Sequence, residues 1–182
     1  KPGGLVAVLT SHHTLDSLNP AARRDMHERG DLLGAIRLPT GAHARMADTQ
    51  AVTDLLIIRV RKNGEEPQPF TWEHAHPQTL PGTEVPVTVN DYMMANPARV
   101  LGTLHAGHGM YGAVNVLVDG PTGADLADVL RERLALLRQA ATSRGLTFDP
   151  QPADVTHAAT PAVREETALV GSLRARGEGT GV

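Results

Sequence analysis

With 182 residues, 41% of them hydrophobic, the chain is long enough for one domain with an appendage, and its two Phe, two Tyr and one Trp predict a mainly aliphatic core. The formal net charge of −3 predicts no strong attraction of the whole chain to nucleic acid, and the absence of cysteine excludes a disulfide scaffold and a thiolate metal site. No apolar run approaches the ~20 residues of a membrane-spanning helix, so we expect no membrane partner and a cytoplasmic location, with which the lack of cysteine is compatible.

The N-terminal part of the chain predicts three strands and one helix. Leu5–Ser11 is a buried-strand pattern directly after a Lys-Pro-Gly-Gly turn, which we interpret as a sign of a longer parent protein. The helix Pro20–Arg29 begins with a proline, which suits the first helical position. Strands are also predicted at Leu32–Leu38 and Asp54–Lys62. Because a strand–helix–strand unit forms a right-handed parallel crossover, the first two strands should be parallel, and the pattern leaves open whether the third returns antiparallel.

Three further segments follow residues 1–62. Residues 63–86 are rich in proline, glycine and charge, and we interpret them as a linker that Phe70 and Trp72 hold to the body. Residues 87–145 are interpreted as a small α+β extension of short strands that ends in an amphipathic helix. Residues 146–182 thin to proline, threonine, alanine and charge, so we expect a mostly disordered tail.

The amphipathic helix has the clearest pattern in the chain. Thr122 and Asp125 are typical of a helix start, and Gly145 is typical of a helix end. One face of this helix carries apolar side chains at helical spacing, namely Leu126, Val129, Leu130, Leu134, Leu137 and Ala141. We therefore expect this face to pack on the body.

Four short motifs, in this order and spacing, resemble a known enzyme family. They are Lys1-Pro-Gly-Gly before an apolar strand, Leu33-Gly-Ala-Ile-Arg-Leu-Pro, Thr53-Asp-Leu-Leu-Ile-Ile, and a later block, Asn90-Asp-Tyr to Asn96-Pro-Ala-Arg-Val-Leu-Gly with Gly109-Met-Tyr-Gly. The chain resembles the C-terminal half of the catalytic domain of adenine-N6 DNA methyltransferases. It is similar to the modification subunits of type I restriction systems, and closer to the large helicase-plus-methylase proteins of phage defence and mobile elements. The resemblance covers roughly Lys1 to Leu137.

The resemblance implies the C-terminal part of a Rossmann-like methyltransferase sheet, followed by a small mixed α+β extension. The three predicted strands would be the fifth, sixth and seventh of that sheet, with the last one antiparallel. In this family the Gly-rich loop that binds S-adenosylmethionine, and the Pro-Pro motif that holds the target amino group, precede Lys-Pro-Gly-Gly. Neither occurs in this sequence. S-adenosylmethionine is therefore expected as a cofactor of the parent protein only, bound by the missing N-terminal half of the domain.

The long polar loop Gly41–Val52 is the best functional candidate in the sequence, because long loops inside compact domains commonly carry function. The resemblance implies that this loop lies near a flipped target base, where a planar side chain can stack. His43 stands where the family has a phenylalanine, and Asp48-Thr49 stands where it has Gly-Thr. We therefore predict that substrate DNA is contacted by Arg37, His43, Arg45 and Thr49. The alternative is that the loop is only a connection between two strands.

Three other patterns are weaker. Gly107-His-Gly-Met-Tyr-Gly matches the literal spacing of a cofactor loop, but a strand pattern follows it where such a loop needs a helix, so we interpret it as a Gly-rich turn. The pairs His74/His76 and His105/His108 could in principle surround zinc, although loop histidines bonded to solvent explain them more simply. No serine has the elbow context of a hydrolase nucleophile.

Two functions remain open at this point. In the first, the chain is the target-base side of an S-adenosylmethionine-dependent DNA adenine-N6 methyltransferase and is inactive as an isolated fragment. In the second, it is a non-catalytic DNA-binding or docking module of a larger helicase or restriction-modification protein. An Asn-Pro-Pro-Tyr or Asp-Pro-Pro-Phe motif upstream of Lys1 would favour the enzyme.

Overall fold

A computed structural model of the protein describes residues 1–42, 51–109 and 112–146. All of these residues belong to one compact unit, Lys1–Pro150. The described strands are β1 Leu5–Ser11, β2 Gly30–Arg37, β3 Thr53–Val60, β4 Ala75–Gln78, β5 Val87–Asn90, β6 Thr103–His108 and β7 Val114–Asp119. The described helices are α1 His13–Asp16, α2 Ala21–Arg29, α3 Asp91–Ala95 and α4 Leu126–Ser143, with a 3₁₀ turn at Pro97–Arg99.

The first sheet has the strand order β1-β3-β2. β3 is antiparallel to both neighbours, so β1 and β2 run parallel to each other. The chain passes from β1 to β2 through α1 and α2, as the strand–helix–strand pattern predicts. The expected arrangement of the three N-terminal strands is therefore confirmed, and the fold of the described residues is mixed α/β with small antiparallel sheets.

β2 is the most deeply buried strand of the first sheet, since all eight of its residues are buried, although β3 lies between it and β1. Its register against β3 shifts between Leu32 and Gly34, so Leu33 forms a bulge. Leu32 joins a core that also contains Trp72, whereas Leu33 joins a second core formed with the apolar face of α4. β2 therefore separates two cores.

The stretch expected as a linker, residues 63–86, contributes to the first core. Trp72 is only 2% exposed, and the ring of Phe70 packs edge-on against it with centroids 5.1 Å apart. The same stretch contains β4, which pairs antiparallel with β5. β4 includes Pro77, and a proline is tolerated in a strand that pairs on one side only. The proline-rich composition hides this strand from a pattern-based prediction.

The Gly-rich segment lies in a β-hairpin, between β6 and β7. Gly109 N donates to Ala113 O at 2.9 Å, and Gly112, with φ of +79°, donates from its N to Gly109 O at 3.0 Å. A strand, not a helix, follows this turn, so the segment has the context of a turn and not that of a cofactor loop.

α4 covers one face of β2. Its N-cap is Asp125, whose side chain accepts from the backbone N of Ala127 and Asp128, while Thr122 lies outside the cap. Every apolar residue predicted for its inner face lies in the second core. Gly145, with φ of +71°, follows the helix end as predicted. Among the described helices, none combines the length and the apolar character that a membrane crossing requires.

Candidate functional site

Four charged or titratable side chains meet at one end of the first sheet, where β1 and β2 end and β3 begins. His12 follows β1, Asp16 ends α1, Arg37 ends β2 and Asp54 lies in β3 opposite Arg37. We call this set the Arg37 cluster. All four residues are buried, and Arg37 and Asp54 have no solvent-exposed surface.

Arg37 is held by two carboxylates. Its Nε and Nη2 donate to the two carboxylate oxygens of Asp54, both at 2.8 Å, in a bidentate pair. Its Nη1 lies 2.9 Å from Asp16 Oδ2, but the N–H is not aligned with that oxygen, so this contact is an ion pair and not a hydrogen bond. The guanidinium thereby joins α1, β2 and β3.

Asp16 connects the cluster to the second sheet. Its Oδ2 lies 2.9 Å from His12 Nδ1, and its Oδ1 accepts from the backbone N of Asn90 at 2.9 Å. The Asn90 side chain donates in turn to the carbonyls of Leu15 and Trp72. Because these partners are all buried, the network fixes β5 and the connection around Trp72 relative to the end of the first sheet.

The pKa values of the two carboxyls shift in opposite directions. Burial raises the pKa of Asp54, and the opposing hydrogen bonds and charge of Arg37 do not reverse that shift. Burial acts in the same direction on Asp16, but the hydrogen bond from His12 and the charge of Arg37 outweigh it and lower its pKa. Arg37 is the single arginine between two buried carboxyls, and although burial favours its neutral form, the two carboxylates raise its pKa.

The base of the loop Gly41–Val52 is attached to rigid elements next to this cluster. His12 N donates to Val52 O at 3.1 Å, and Leu38 N donates to Thr53 O at 2.9 Å. Thr40 is bonded to Val118 in both directions, through its backbone N and through its hydroxyl. The strand ends and β7 therefore fix where the loop leaves the sheet.

The predicted DNA-contacting residues divide into two groups. His43, Arg45 and Thr49 lie outside the described residues, so their roles stay predictions. Arg37 is described and fully buried, and direct contact of its guanidinium with DNA would require the Arg37 cluster to open. Sequence reasoning missed Asp16 and Asp54 as its partners. The usable signal was that Arg37 and Asp54 interrupt apolar strands, since charges in such strands are buried only when paired.

The histidine pairs are separate from this cluster. The rings of His74 and His76 lie 6.3 Å apart, and His76 Nδ1 contacts Asp91 at 2.7 Å. His108 Nδ1 lies 2.9 Å from Gly112 O, inside its own hairpin. Among the described residues no group of three or more histidine, cysteine or acidic side chains is arranged to hold a metal ion.

The outer side of β1 is exposed and apolar. Among the described strands β1 pairs only with β3, and it lies at the end of the strand order. Leu5 and Leu9 lie on the face of the sheet shared with Leu55, and Val6 lies on the opposite face. These three side chains are 39%, 48% and 41% exposed, in the order Leu5, Leu9, Val6. An apolar strand exposed on both faces has the composition of an internal strand and the position of an edge strand.

No family model, curated protein or solved structure matches this chain. What can be said of its function therefore rests on the residues and the geometry described above.

Proposed function

We propose that this chain is the target-base side of an S-adenosylmethionine-dependent DNA adenine-N6 methyltransferase. The observation that carries the proposal is the strand order β1-β3-β2, with an antiparallel strand between two parallel ones. A Rossmann-like methyltransferase sheet has this order among its last three strands. Three of the four motifs that resemble the family fall on these strands or directly before them, so pattern and topology support one interpretation.

The exposed outer side of β1 supports the same proposal. In a methyltransferase sheet the fifth strand is internal, so its backbone is paired on both sides and its apolar side chains are covered. Leu5, Val6 and Leu9 have the side chains of such a strand but remain exposed. The partner that fits is the N-terminal half of the same catalytic domain, whose next strand would pair with β1.

The cofactor would belong to that other half. S-adenosylmethionine supplies the methyl group, but the described residues do not form a Gly-rich loop between a strand and a helix, because Gly107–Gly112 lies in a hairpin. The contribution of this chain is therefore to the DNA side. The loop Gly41–Val52 would carry His43 as a stacking surface for the base, with Arg45 and Thr49 near the DNA backbone.

The Arg37 cluster would act as a positioning element in this arrangement. It ties the ends of β1, β2 and β3 together next to the two points where the loop joins the sheet, and these points are bonded to His12 and Thr53. A side chain that stacks on a target base must be held to within a fraction of an ångström for the reaction to proceed. A buried ionic network supplies that rigidity. A cytoplasmic location belongs to the same proposal, because the substrate would be cellular DNA.

The full-length parent protein provides the test. We expect it to bind S-adenosylmethionine and to transfer a labelled methyl group to adenine in DNA, whereas residues 1–182 alone should do neither. Isothermal titration and methyl-transfer assays on both proteins measure these outcomes. A parent that binds no cofactor and methylates no DNA would leave the second candidate, a non-catalytic docking module. The exposed apolar side of β1 fits docking of a separate protein as well as docking of the N-terminal half, so the assays and not this surface separate the two candidates.

A further inference from the structure

Two exposed histidines lie on one side of the chain where β4 begins, apart from the Arg37 cluster. His74 comes directly before β4 and His76 lies within it, and both are exposed, whereas Ala75 between them is buried. Residues two positions apart in an extended chain project to the same side. The two imidazoles are therefore neighbours, with ring centroids 6.3 Å apart. We call these residues the His74–His76 pair.

Hydrogen bonds fix the backbone that carries the pair. β4 pairs with β5, with His76 opposite Val89, and Val89 is completely buried. The backbone N of Asp91 donates to His74 O at 3.0 Å, so the start of α3 is attached at the same point. Because the backbone is held from both sides, little chain entropy is lost when the two rings bind one ligand.

Asp91 determines which nitrogen of His76 can bind a ligand. Asp91 Oδ1 lies 2.7 Å from His76 Nδ1. A carboxylate oxygen only accepts hydrogen bonds, so Nδ1 carries the proton and donates it, and Nε2 of the neutral ring keeps its lone pair. Histidines that bind metal ions have the same arrangement, in which a carboxylate behind the ring orients it and makes the ligating nitrogen more basic. The contact with Asp91 therefore selects a metal ion over a hydrogen-bond acceptor as the ligand of Nε2.

The charges next to the pair favour a cation. Glu73 Oε2 lies 3.5 Å from His74 Nε2, and Asp91 contacts the other ring. The second oxygen of Glu73, Oε1, lies 2.6 Å from Arg24 Nη2, so the charge of this arginine is compensated. The His74 side chain is 61% exposed and its contact with Glu73 is longer than a normal hydrogen bond, so its ring can turn at little cost.

The separation of the two rings is close to that of two ligands of one metal ion. With Zn–N bonds of ~2.0–2.1 Å and tetrahedral angles, two ligating imidazoles have centroids ~5 Å apart, about 1 Å closer than the observed 6.3 Å. A small rotation of the exposed His74 ring covers this difference. Since no group of three suitable side chains among the described residues is arranged around a metal ion, water would complete the coordination. Binding should therefore be weaker than at a site with three or four protein ligands.

We propose that the His74–His76 pair binds one divalent transition-metal ion, such as zinc, through Nε2 of both rings, with Asp91 as the positioning residue of His76. Imidazole nitrogen suits zinc, copper and nickel, whereas magnesium and calcium prefer oxygen ligands. The site uses neither the loop Gly41–Val52 nor the outer edge of β1, so it is independent of the methyltransferase proposal.

Isothermal titration of residues 1–182 with zinc chloride and with magnesium chloride tests the proposal. We expect zinc to bind saturably with one-to-one stoichiometry, and magnesium not to bind at the same concentrations. His74→Asn and His76→Asn should each weaken zinc binding about tenfold or more, because each removes one of the two protein ligands. Absence of saturable zinc binding, or zinc binding that neither substitution weakens, would overturn the proposal.

The second histidine pair of the chain provides the matched control. His105 and His108 lie three positions apart in β6, so they project to opposite faces of the strand and cannot bind one ion together. The double variant His105→Asn/His108→Asn should therefore bind zinc like the unmodified protein. If it loses as much zinc affinity as His74→Asn does, zinc binds to histidines in general and the proposed site is wrong.

Asp91→Asn tests the positioning role. It should weaken zinc about tenfold, the usual cost of removing the carboxylate behind a ligating histidine. Nitrogen NMR spectra of the metal-free proteins give a second readout, because neutral His76 should carry its proton on Nδ1 in the unmodified protein and lose that preference in Asp91→Asn. Unchanged zinc affinity and an unchanged His76 tautomer in Asp91→Asn would show that Asp91 does not position the ring.

Discussion

Individual charged residues of this chain have sharply different surroundings, and their effects on stability should differ accordingly. Arg37 is enclosed with two carboxylates, Arg24 is a surface residue paired with Glu73, and Glu65 is an accessible carboxylate held by Arg59. Breaking a buried pair leaves an uncompensated buried charge, whereas breaking a surface pair exposes both partners to water.

Arg37→Met should destabilise the protein by about 3–5 kcal/mol, because it leaves the carboxylates of Asp16 and Asp54 buried without their cation. The loss should shrink at acidic pH. Burial already raises the pKa of Asp54, and removal of Arg37 takes away the hydrogen bonds and the charge that oppose this rise. Protonated Asp54 therefore stabilises the fold of the variant at low pH, and that stabilisation is lost as pH rises through the folded pKa. Urea unfolding at several pH values measures both effects.

Arg24→Met is the matched control for that variant. Arg24 contacts Glu73 at 2.6 Å, but its side chain is 58% exposed, so the expected loss is below about 1 kcal/mol. Equal losses for the two variants would mean that the Arg37 cluster contributes no more than a surface ion pair.

Glu65 should produce a pH dependence of opposite sign to that of Arg37→Met. Hydrogen bonds from Arg59 and from the backbone N of Lys62 lower the pKa of Glu65 from 4.5 to about 2. A carboxyl with a lowered pKa stabilises the folded protein above its unfolded pKa and loses that contribution as pH falls toward its folded pKa. The melting temperature of Glu65→Gln should therefore fall less than that of the unmodified protein as the pH is lowered from 4.5 to about 2. Glu66→Gln, at an exposed neighbouring position, should leave the profile unchanged, and identical profiles for all three proteins would refute the assignment.

β1 has the apolar composition of an internal strand, but among the described strands it lies at the end of the strand order. Its apolar side chains suit an internal strand, but its outer side is exposed. We therefore expect residues 1–182 to self-associate when expressed alone, through the edge of β1. Replacing Val6 and Leu9 by lysine should shift the protein toward monomer in analytical ultracentrifugation.

Leu18→Lys provides the control for that experiment, since Leu18 is 67% exposed but lies outside the sheet. If Leu18→Lys reduces association as much as the double substitution in β1, association is a general effect of surface charge and the edge is not its cause.

Elements with a regular pattern were predictable from the sequence, and contacts between distant segments were not. The strands at Leu5–Ser11 and around Ile36, and the apolar face of α4, follow from local periodicity. β4 was missed because four residues that include a proline give no periodic signal. The Arg37 cluster was missed because it joins residues from separate parts of the chain, and only the folded topology brings Asp16 and Asp54 to one guanidinium.

At the scale of the whole molecule, the proposed DNA side and the proposed docking side lie at different parts of the first sheet. The ends of β1 and β2 hold the Arg37 cluster and the base of the loop Gly41–Val52. The open side of β1 is left for the other half of the catalytic domain.

The loop makes the sharpest prediction, and it concerns the intact parent protein. His43 is the position that the family resemblance aligns with a base-stacking phenylalanine, and base–aromatic stacking contributes ~1–3 kcal/mol. His43→Ala should therefore lower methyl transfer to DNA by about tenfold or more, and His43→Phe should restore or improve it, because the larger ring recovers the stacking area. Leu38→Ala serves as the control, since Leu38 is only 5% exposed and its truncation should lower stability without changing the preference between substrates. Methyl transfer to duplex and single-stranded DNA by each full-length variant measures these effects. If His43→Ala transfers methyl groups to both substrates as fast as the unmodified protein, the loop is a connection between β2 and β3 and stacks on no base.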